Sequence, residues 1–123
     1  MILGKATTIN TKYYAELHQI ECLPEHFREF NDFTASSIGI GTYLGSSDPT
    51  TDNLVTEAII QSVKGGINLI DTAINYRSQH SEMSVKKALF KLIESMQPRR
   101  PISSCDAKAA FGKPSPGSLI NSK

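Results

Sequence analysis

Hydrophobic and polar positions alternate along the middle of the chain in a pattern that predicts strand, helix, strand and helix. Residues 37–45 are β-rich and punctuated by glycines, which is typical of a strand approached closely by other backbone. Residues 67–70 form a second short apolar run. Each run precedes a stripe at helical spacing: Val55, Ala58, Ile59, Ser62 and Val63, then Val85, Ala88, Leu89, Leu92, Ile93 and Met96. This order predicts the beginning of a parallel α/β fold.

Residues at the ends of these stripes suit helix termini. Thr51 or Asp52 can cap the first helix, and Gly65-Gly66 supplies the left-handed stop. Ser81 is the predicted cap of the second helix, which ends before Pro98.

The first 34 residues give a weaker pattern and are predicted as an N-terminal arm. Apolar side chains between Tyr13 and Leu23 roughly follow a helical spacing, which Pro24 ends. Residues 26–30 fit either a short helix or an extended segment, and the sequence leaves both open. The arm therefore precedes a predicted α/β domain at residues 35–97.

Residues 98–123 differ from the rest in charge and composition. They hold five basic residues against Asp106 alone, and four of the six prolines. Because this segment has too little apolar surface to offset the entropy of ordering, we expect a disordered basic tail. Contact with an acidic partner is the alternative to a solvated tail.

Length and overall composition exclude several classes of protein. A chain of 123 residues with net charge +1 fits one small domain and has no general field for nucleic acid or a membrane. No run is long or apolar enough for a transmembrane span or a secretory signal. The two cysteines lie far apart with no zinc-type spacing. We therefore expect a cytoplasmic protein with reduced thiols and no metal site.

Candidate chemistry lies where the predicted strands end, because functional groups of parallel α/β proteins gather on the loops that follow their strands. Thr42 and Tyr43 end the first strand, Asp71 ends the second, and Tyr76 lies five residues further on. A carboxylate directly after an apolar strand must be solvated or paired. Its role is catalytic, or it is simply a cap for the following loop.

The residues at these positions resemble those of the aldo-keto reductases. The resemblance rests on Ile38-Gly39-Ile40-Gly41-Thr42-Tyr43, on residues 65–76 (GGINLIDTAINY), and on Ser81-Glu82 at the start of a helix. It is clearest over residues 33–95 and extends more faintly to residue 26.

The resemblance implies a fold, a reaction and a set of site residues. It implies the first β1α1β2α2 portion of a (β/α)8 TIM barrel, and reduction of small aldehydes or ketones with NADPH or NADH. Tyr76 would be the general acid, and Asp71 the carboxylate that pairs with a lysine beside the phenol. Thr42, Tyr43 and Asp71 would line the nicotinamide end of the cofactor site. Asn75 and Arg77 would shape its rim, or serve the loop alone.

The chain also departs from that family. Cys105 stands where the partner lysine is expected, and Lys108 lies three residues beyond it as a replacement if the alignment slips. No histidine matches the one that the family carries on its fourth strand, and His80 is interpreted as a solvated loop residue. The later strands of the barrel, with the loops that hold the cofactor's phosphates, have no counterpart.

These departures leave three interpretations open. The chain is a truncated NAD(P)H-dependent oxidoreductase that is inactive alone, an interaction module whose exposed strand edges pair with a full-length relative or with themselves, or an incomplete product without function. Two βα units make about a quarter of a barrel. We therefore expect marginal stability and a tendency to associate.

Overall fold

Three helices and two small sheets form the part of the chain that the structure, a computed structural model, describes, which is residues 4–96. In chain order the elements are α1 (Thr8–His18), β1 (Phe27–Phe30), β2 (Phe33–Ser36), β3 (Ile40–Gly41), α2 (Pro49–Lys64), β4 (Ile70–Asp71), a 3-10 helix (Tyr76–Gln79) and α3 (His80–Met96). The predicted tail at 98–123 lies outside the described residues.

Helix α2 begins earlier than its sequence predicts. The carboxylate of Asp48 accepts the backbone N–H groups of Thr50 and Thr51, each at 3.0 Å, so Asp48 rather than Thr51 or Asp52 is the N-cap. Pro49 then fills the first helical position, where its missing N–H costs nothing. The helix ends at Lys64 with Gly65 as its C-cap, and the amide of Gly65 donates to the carbonyl of Gln61. The left-handed conformation falls on the second glycine of the pair, Gly66, with a φ angle of 95°.

The packing of α2 against α3 forms the core. Ile59 and Ala88 are fully buried, and Ile60 and Leu92 are nearly so. Ile40 and Ile70 of the two parallel strands pack on the same cluster. The core is therefore small, and one face of the short parallel sheet closes it.

The two parallel strands pair over only two residues each. Ile40 lies opposite Ile70, and Gly41 lies opposite Asp71. The amide of Thr42 extends the ladder by donating to the Asp71 carbonyl at 3.1 Å. This pairing brings the ends of both strands, and the loops that follow them, to one edge of the molecule.

Residues 27–36 form an antiparallel hairpin that the sequence analysis missed. Phe30 pairs with Phe33 across a two-residue turn. Asn31 and Asp32 both have positive φ angles, 45° and 68°, which a type I′ turn requires. Asn and Asp tolerate that conformation better than other side chains do, so this dipeptide was a usable hairpin signal.

Several side chains attach this N-terminal unit to the rest, among them those of Asn68 and Tyr14. The Asn68 amide accepts the Ser36 N–H at 2.8 Å and donates to the Thr34 carbonyl at 2.9 Å. The hydroxyl of Tyr14 on α1 donates to the carbonyl of Val63 at the end of α2. Burial raises the pKa of Tyr14 to about 12, so its phenol remains a donor at neutral pH.

The prediction that residues 35–97 are the first portion of a (β/α)8 TIM barrel is wrong. The described chain is a small α+β arrangement with one antiparallel and one parallel pair of strands, and it forms no barrel. Strand and helix do alternate from β3 to α3, but an isolated βαβα unit satisfies that order as well as a barrel does. Strands of two residues cannot supply the long, tilted ladder that a barrel needs.

Within residues 4–96 no helix is both long enough and apolar enough to cross a bilayer.

Replacing Asn68 tests whether its amide joins the hairpin to the helical unit. Asn68→Ala leaves the Ser36 N–H and the Thr34 carbonyl without their partner, so we expect a loss of about 1–3 kcal/mol in the free energy of unfolding. Asn53→Ala is the matched control, because Asn53 is exposed on α2 and accepts only from Lys87. Urea unfolding followed by circular dichroism measures both, and equal effects would contradict this role of Asn68.

Candidate functional site

Asp71 and Tyr76 lie together at the edge where β3 and β4 end. The Tyr76 hydroxyl is 3.4 Å from Oδ2 of Asp71, which is long for a hydrogen bond and leaves both groups free to take another partner. The Asp71 side chain is exposed and that of Tyr76 is half-buried. A proton donor and an acceptor are therefore presented side by side to solvent.

Tyr43 and Thr42 adjoin this pair in different ways. The Tyr43 ring packs edge-on against Tyr76, with 5.0 Å between ring centroids, and is 63% exposed. Thr42 is 2% exposed, and its hydroxyl donates to the Asp71 carbonyl at 2.9 Å. Tyr43 thus offers an open aromatic surface, whereas Thr42 holds the end of β4 in place. The structure brings all four predicted site residues to one edge.

Sequence reasoning missed a charged cluster behind this edge. Nη2 of Arg77 lies 2.5 Å from Oδ1 of Asp52, and Nδ1 of His80 lies 2.7 Å from Oδ2 of the same carboxylate. Arg77 is therefore buried rather than at a pocket rim, and His80 is a paired residue at the start of α3 rather than a solvated one. Hydrogen bonds from His80 and Arg77 hold the pKa of Asp52 below its ordinary value, despite the opposing effect of desolvation.

The backbone after Tyr76 has an unusual conformation. Arg77, Ser78 and Gln79 have φ angles of 48°, 53° and 75°, so three successive residues that are not glycine lie in the left-handed region. This conformation costs about 1–2 kcal/mol per residue for side chains with a Cβ. None of the three is a residue type that favours it, so their surroundings must hold them there.

The loop from β3 to α2 closes over this turn. Arg77 donates from Nε and Nη2 to the carbonyl of Ser46, at 3.1 and 2.9 Å, and Ser47 donates to the Arg77 carbonyl at 2.8 Å. Gly45 has φ +109°, and a Cβ there would lie 2.7 Å from Cγ2 of Thr51. Glycine therefore allows the loop to approach α2 closely.

Ser81 has a role other than the predicted cap. It lies within α3, is fully buried, and donates from its hydroxyl to the Thr42 carbonyl at 2.6 Å. The helix that follows Tyr76 is thus attached to the end of β3.

The position expected to hold the lysine partner of Asp71 is occupied by Cys105. This position and Lys108, the replacement if the alignment slips, both lie outside the described residues. Within residues 4–96 neither Asp71 nor Tyr76 has an ion pair with a basic side chain, and no group of three potential ligands is arranged to hold a metal ion.

No protein family, curated protein or solved structure matches the chain.

The Asp52 cluster predicts a defined dependence of stability on pH. Because folding lowers the pKa of Asp52, its stabilising effect is present above the ordinary Asp pKa of about 3.9 and is lost as the pH falls through the lowered folded value. We expect wild type to melt at a higher temperature than Asp52→Asn at neutral pH. The difference in melting temperature between the two proteins should become smaller below about pH 4.

Thermal melts followed by circular dichroism across the acid range measure this gap. Asp48 also titrates there, but it is present in both proteins and so cancels from the difference. Glu57→Gln is the control, because Glu57 is exposed on the same helix and accepts only from Gln61. A gap between wild type and Asp52→Asn that does not change with pH would contradict the assignment.

Proposed function

We propose that the edge formed by Thr42, Tyr43, Asp71 and Tyr76 is part of the active site of a nicotinamide-dependent carbonyl reductase related to the aldo-keto reductases. The observation that carries this proposal is the half-buried Tyr76 phenol beside the exposed Asp71 carboxylate, with the Tyr43 ring open to solvent next to them. This is a proton donor, an orienting acceptor and a stacking surface in one place.

The residues have complementary roles in such a reduction. When bound, a reduced nicotinamide would supply a hydride to the carbonyl carbon of an aldehyde or ketone. Tyr76 donates its proton to the carbonyl oxygen, so the products are an alcohol and the oxidised nicotinamide. Asp71 holds the phenol hydroxyl toward the edge, and Thr42 fixes the backbone that carries Asp71.

The side chains at this edge suit contact with the nicotinamide ring of a cofactor, but they do not suit contact with its phosphates. The exposed Tyr43 ring can stack on a planar ring, and Asp71 can accept from a carboxamide N–H. The nearby Arg77 is buried against Asp52 and Ser46, so it does not offer charge to a diphosphate. We therefore expect residues 4–96 to bind nicotinamide cofactors weakly.

A further requirement of this reaction is not met within residues 4–96. Proton transfer from a phenol near neutral pH needs a positive charge beside it, because an ordinary tyrosine has a pKa of about 10. Within residues 4–96 no basic side chain forms an ion pair with Asp71, which adjoins the phenol. We propose a partial site that binds the head group and needs a cation from elsewhere.

Titration of NADPH fluorescence with the full chain tests this proposal. We expect saturable binding with a Kd on the order of 1 mM, equivalent to about −4 kcal/mol. Tyr43→Ala should weaken binding by about two- to tenfold through loss of the stacking surface. Tyr13→Ala is the matched control, because Tyr13 is similarly exposed but lies on α1.

Two results would contradict the proposal. Equal weakening by Tyr13→Ala and Tyr43→Ala would show that binding does not occur at this edge. NADPH-linked reduction of a simple aldehyde by this chain that persists in Tyr76→Phe would show that Tyr76 is not the proton donor.

Exposed apolar residues beside the sheets favour a second candidate function, that of an interaction module. A groove of about 420 Å³ lies between the hairpin and the start of β4, lined by Phe30, Ala35 and Leu69 among others. Phe30 is 67% exposed and Leu69 52%. Within residues 4–96 each strand has only one partner, so each keeps an open edge.

Sedimentation velocity over a range of concentrations tests this second function. Self-association through the groove predicts a mean mass that rises with concentration, and Leu69→Lys should suppress the rise because it places a charge in the apolar contact. Leu54→Lys is the control, since Leu54 is 67% exposed on α2 and does not line the groove. A monomer at every concentration would contradict self-association.

A further inference from the structure

The left-handed turn that follows Tyr76 is held from two directions. On the side-chain side, the Arg77 guanidinium is 1% exposed, pairs with Asp52 and donates twice to the Ser46 carbonyl. On the main-chain side, the Ser47 hydroxyl donates to the Arg77 carbonyl at 2.8 Å. A left-handed backbone is unfavourable for residues with a Cβ, so it persists only where surrounding contacts such as these stabilise it.

Asp52 fastens both ends of the turn to α2. Its Oδ1 accepts a hydrogen bond from Arg77, the first of the three left-handed residues. Its Oδ2 is hydrogen-bonded to the ring of His80, the residue that directly follows the left-handed run. The span between these two contacts is therefore fixed by a single carboxylate on a helix of the core. Side-chain groups borne on a packed helix are held more rigidly than those on a free loop.

Tyr76 lies directly before this turn. Its amide donates to the Ala73 carbonyl at 3.0 Å, its ring packs edge-on against the exposed Tyr43 ring, and its hydroxyl lies 3.4 Å from the Asp71 carboxylate. If the turn relaxed toward ordinary helical or extended angles, the backbone at Tyr76 would rotate with it. The phenol would then leave the carboxylate, which it meets only at 3.4 Å.

We propose that Arg77 is a positioning residue for Tyr76. Its hydrogen bonds to Asp52 and Ser46 hold the turn at residues 77–79, and the turn keeps the phenol beside Asp71. The importance of this for reduction rests on the function proposed above. The positioning itself is a property of the protein without cofactor.

The contacts of Arg77 also define what a substitute can do. Lysine can reach a carboxylate, but its single ammonium group cannot reproduce the planar fork that joins Asp52 and Ser46 at the same time. Methionine keeps much of the apolar stem and removes the charge. Arg77→Lys should therefore retain part of the positioning, and Arg77→Met should abolish it.

NMR of the full chain labelled with 13C at the tyrosine Cζ gives a direct readout. Tyr76→Phe assigns the Tyr76 signal, and Asp71→Asn shifts it when the phenol lies beside the carboxylate. We expect Asp71→Asn to change the 13C chemical shift of Tyr76 Cζ when Arg77 is present. The change should be smaller in the Arg77→Lys background and absent in the Arg77→Met background. Arg28→Met is the control, because Arg28 is exposed on the hairpin and should leave the shift unchanged.

Arg77→Lys covers the case in which Arg77→Met does not fold, because it keeps the positive charge and removes the fork that joins Asp52 and Ser46. A reduced Tyr76 response in Arg77→Lys then supports the proposal, and a full response overturns it. A folded Arg77→Met protein that keeps the whole response to Asp71→Asn also overturns it. NADPH titration is a separate measurement, so failure of cofactor binding and failure of positioning are distinguishable.

Discussion

The carboxylate of Asp52 is the contact on which the arrangement of the site depends. It lies in the first turn of α2, and its two oxygens receive Arg77 and His80 from the segment that follows β4. Without it, a guanidinium that is almost wholly buried would lose its counter-charge, a loss that costs several times more than an exposed ion pair does. Removal of this carboxylate therefore affects the core side of the molecule and the exposed edge together, because the same turn belongs to both.

Features set by local patterns could be predicted from the sequence. The apolar stripes predict α2 and α3, Gly65 marks the end of α2, and the short β-rich runs contain β3 and β4. The meeting of Asp71 with Tyr76 follows from only five residues of separation and from a shared strand end. Such features depend on periodicity and on capping preferences, which act over one or two turns.

Features set by contacts across the chain, and the overall fold, could not be predicted in the same way. Arg77 and Asp52 lie 25 residues apart, and nothing in Arg-Ser-Gln indicates a left-handed run, since none of these residues favours positive φ. The barrel was inferred from a resemblance, and alternation of strand and helix does not fix how many strands a sheet contains. The hairpin was a different case, because Asn31-Asp32 was a local signal that could have been used.

For the function proposed above, the distribution of charge within residues 4–96 favours binding and orientation at this edge over unaided reaction. The positive charge nearest to Tyr76 in the chain is that of Arg77, and its guanidinium faces Asp52 and Ser46 behind the edge. Nε and Nη2 of Arg77 are engaged by Ser46 and Asp52, and among the described residues the buried Nη1 has no hydrogen-bond partner. The guanidinium as placed therefore neutralises Asp52 and is not directed at the phenol. The proposed reduction would then need a cation from beyond residues 4–96, whether from the same chain or from a partner.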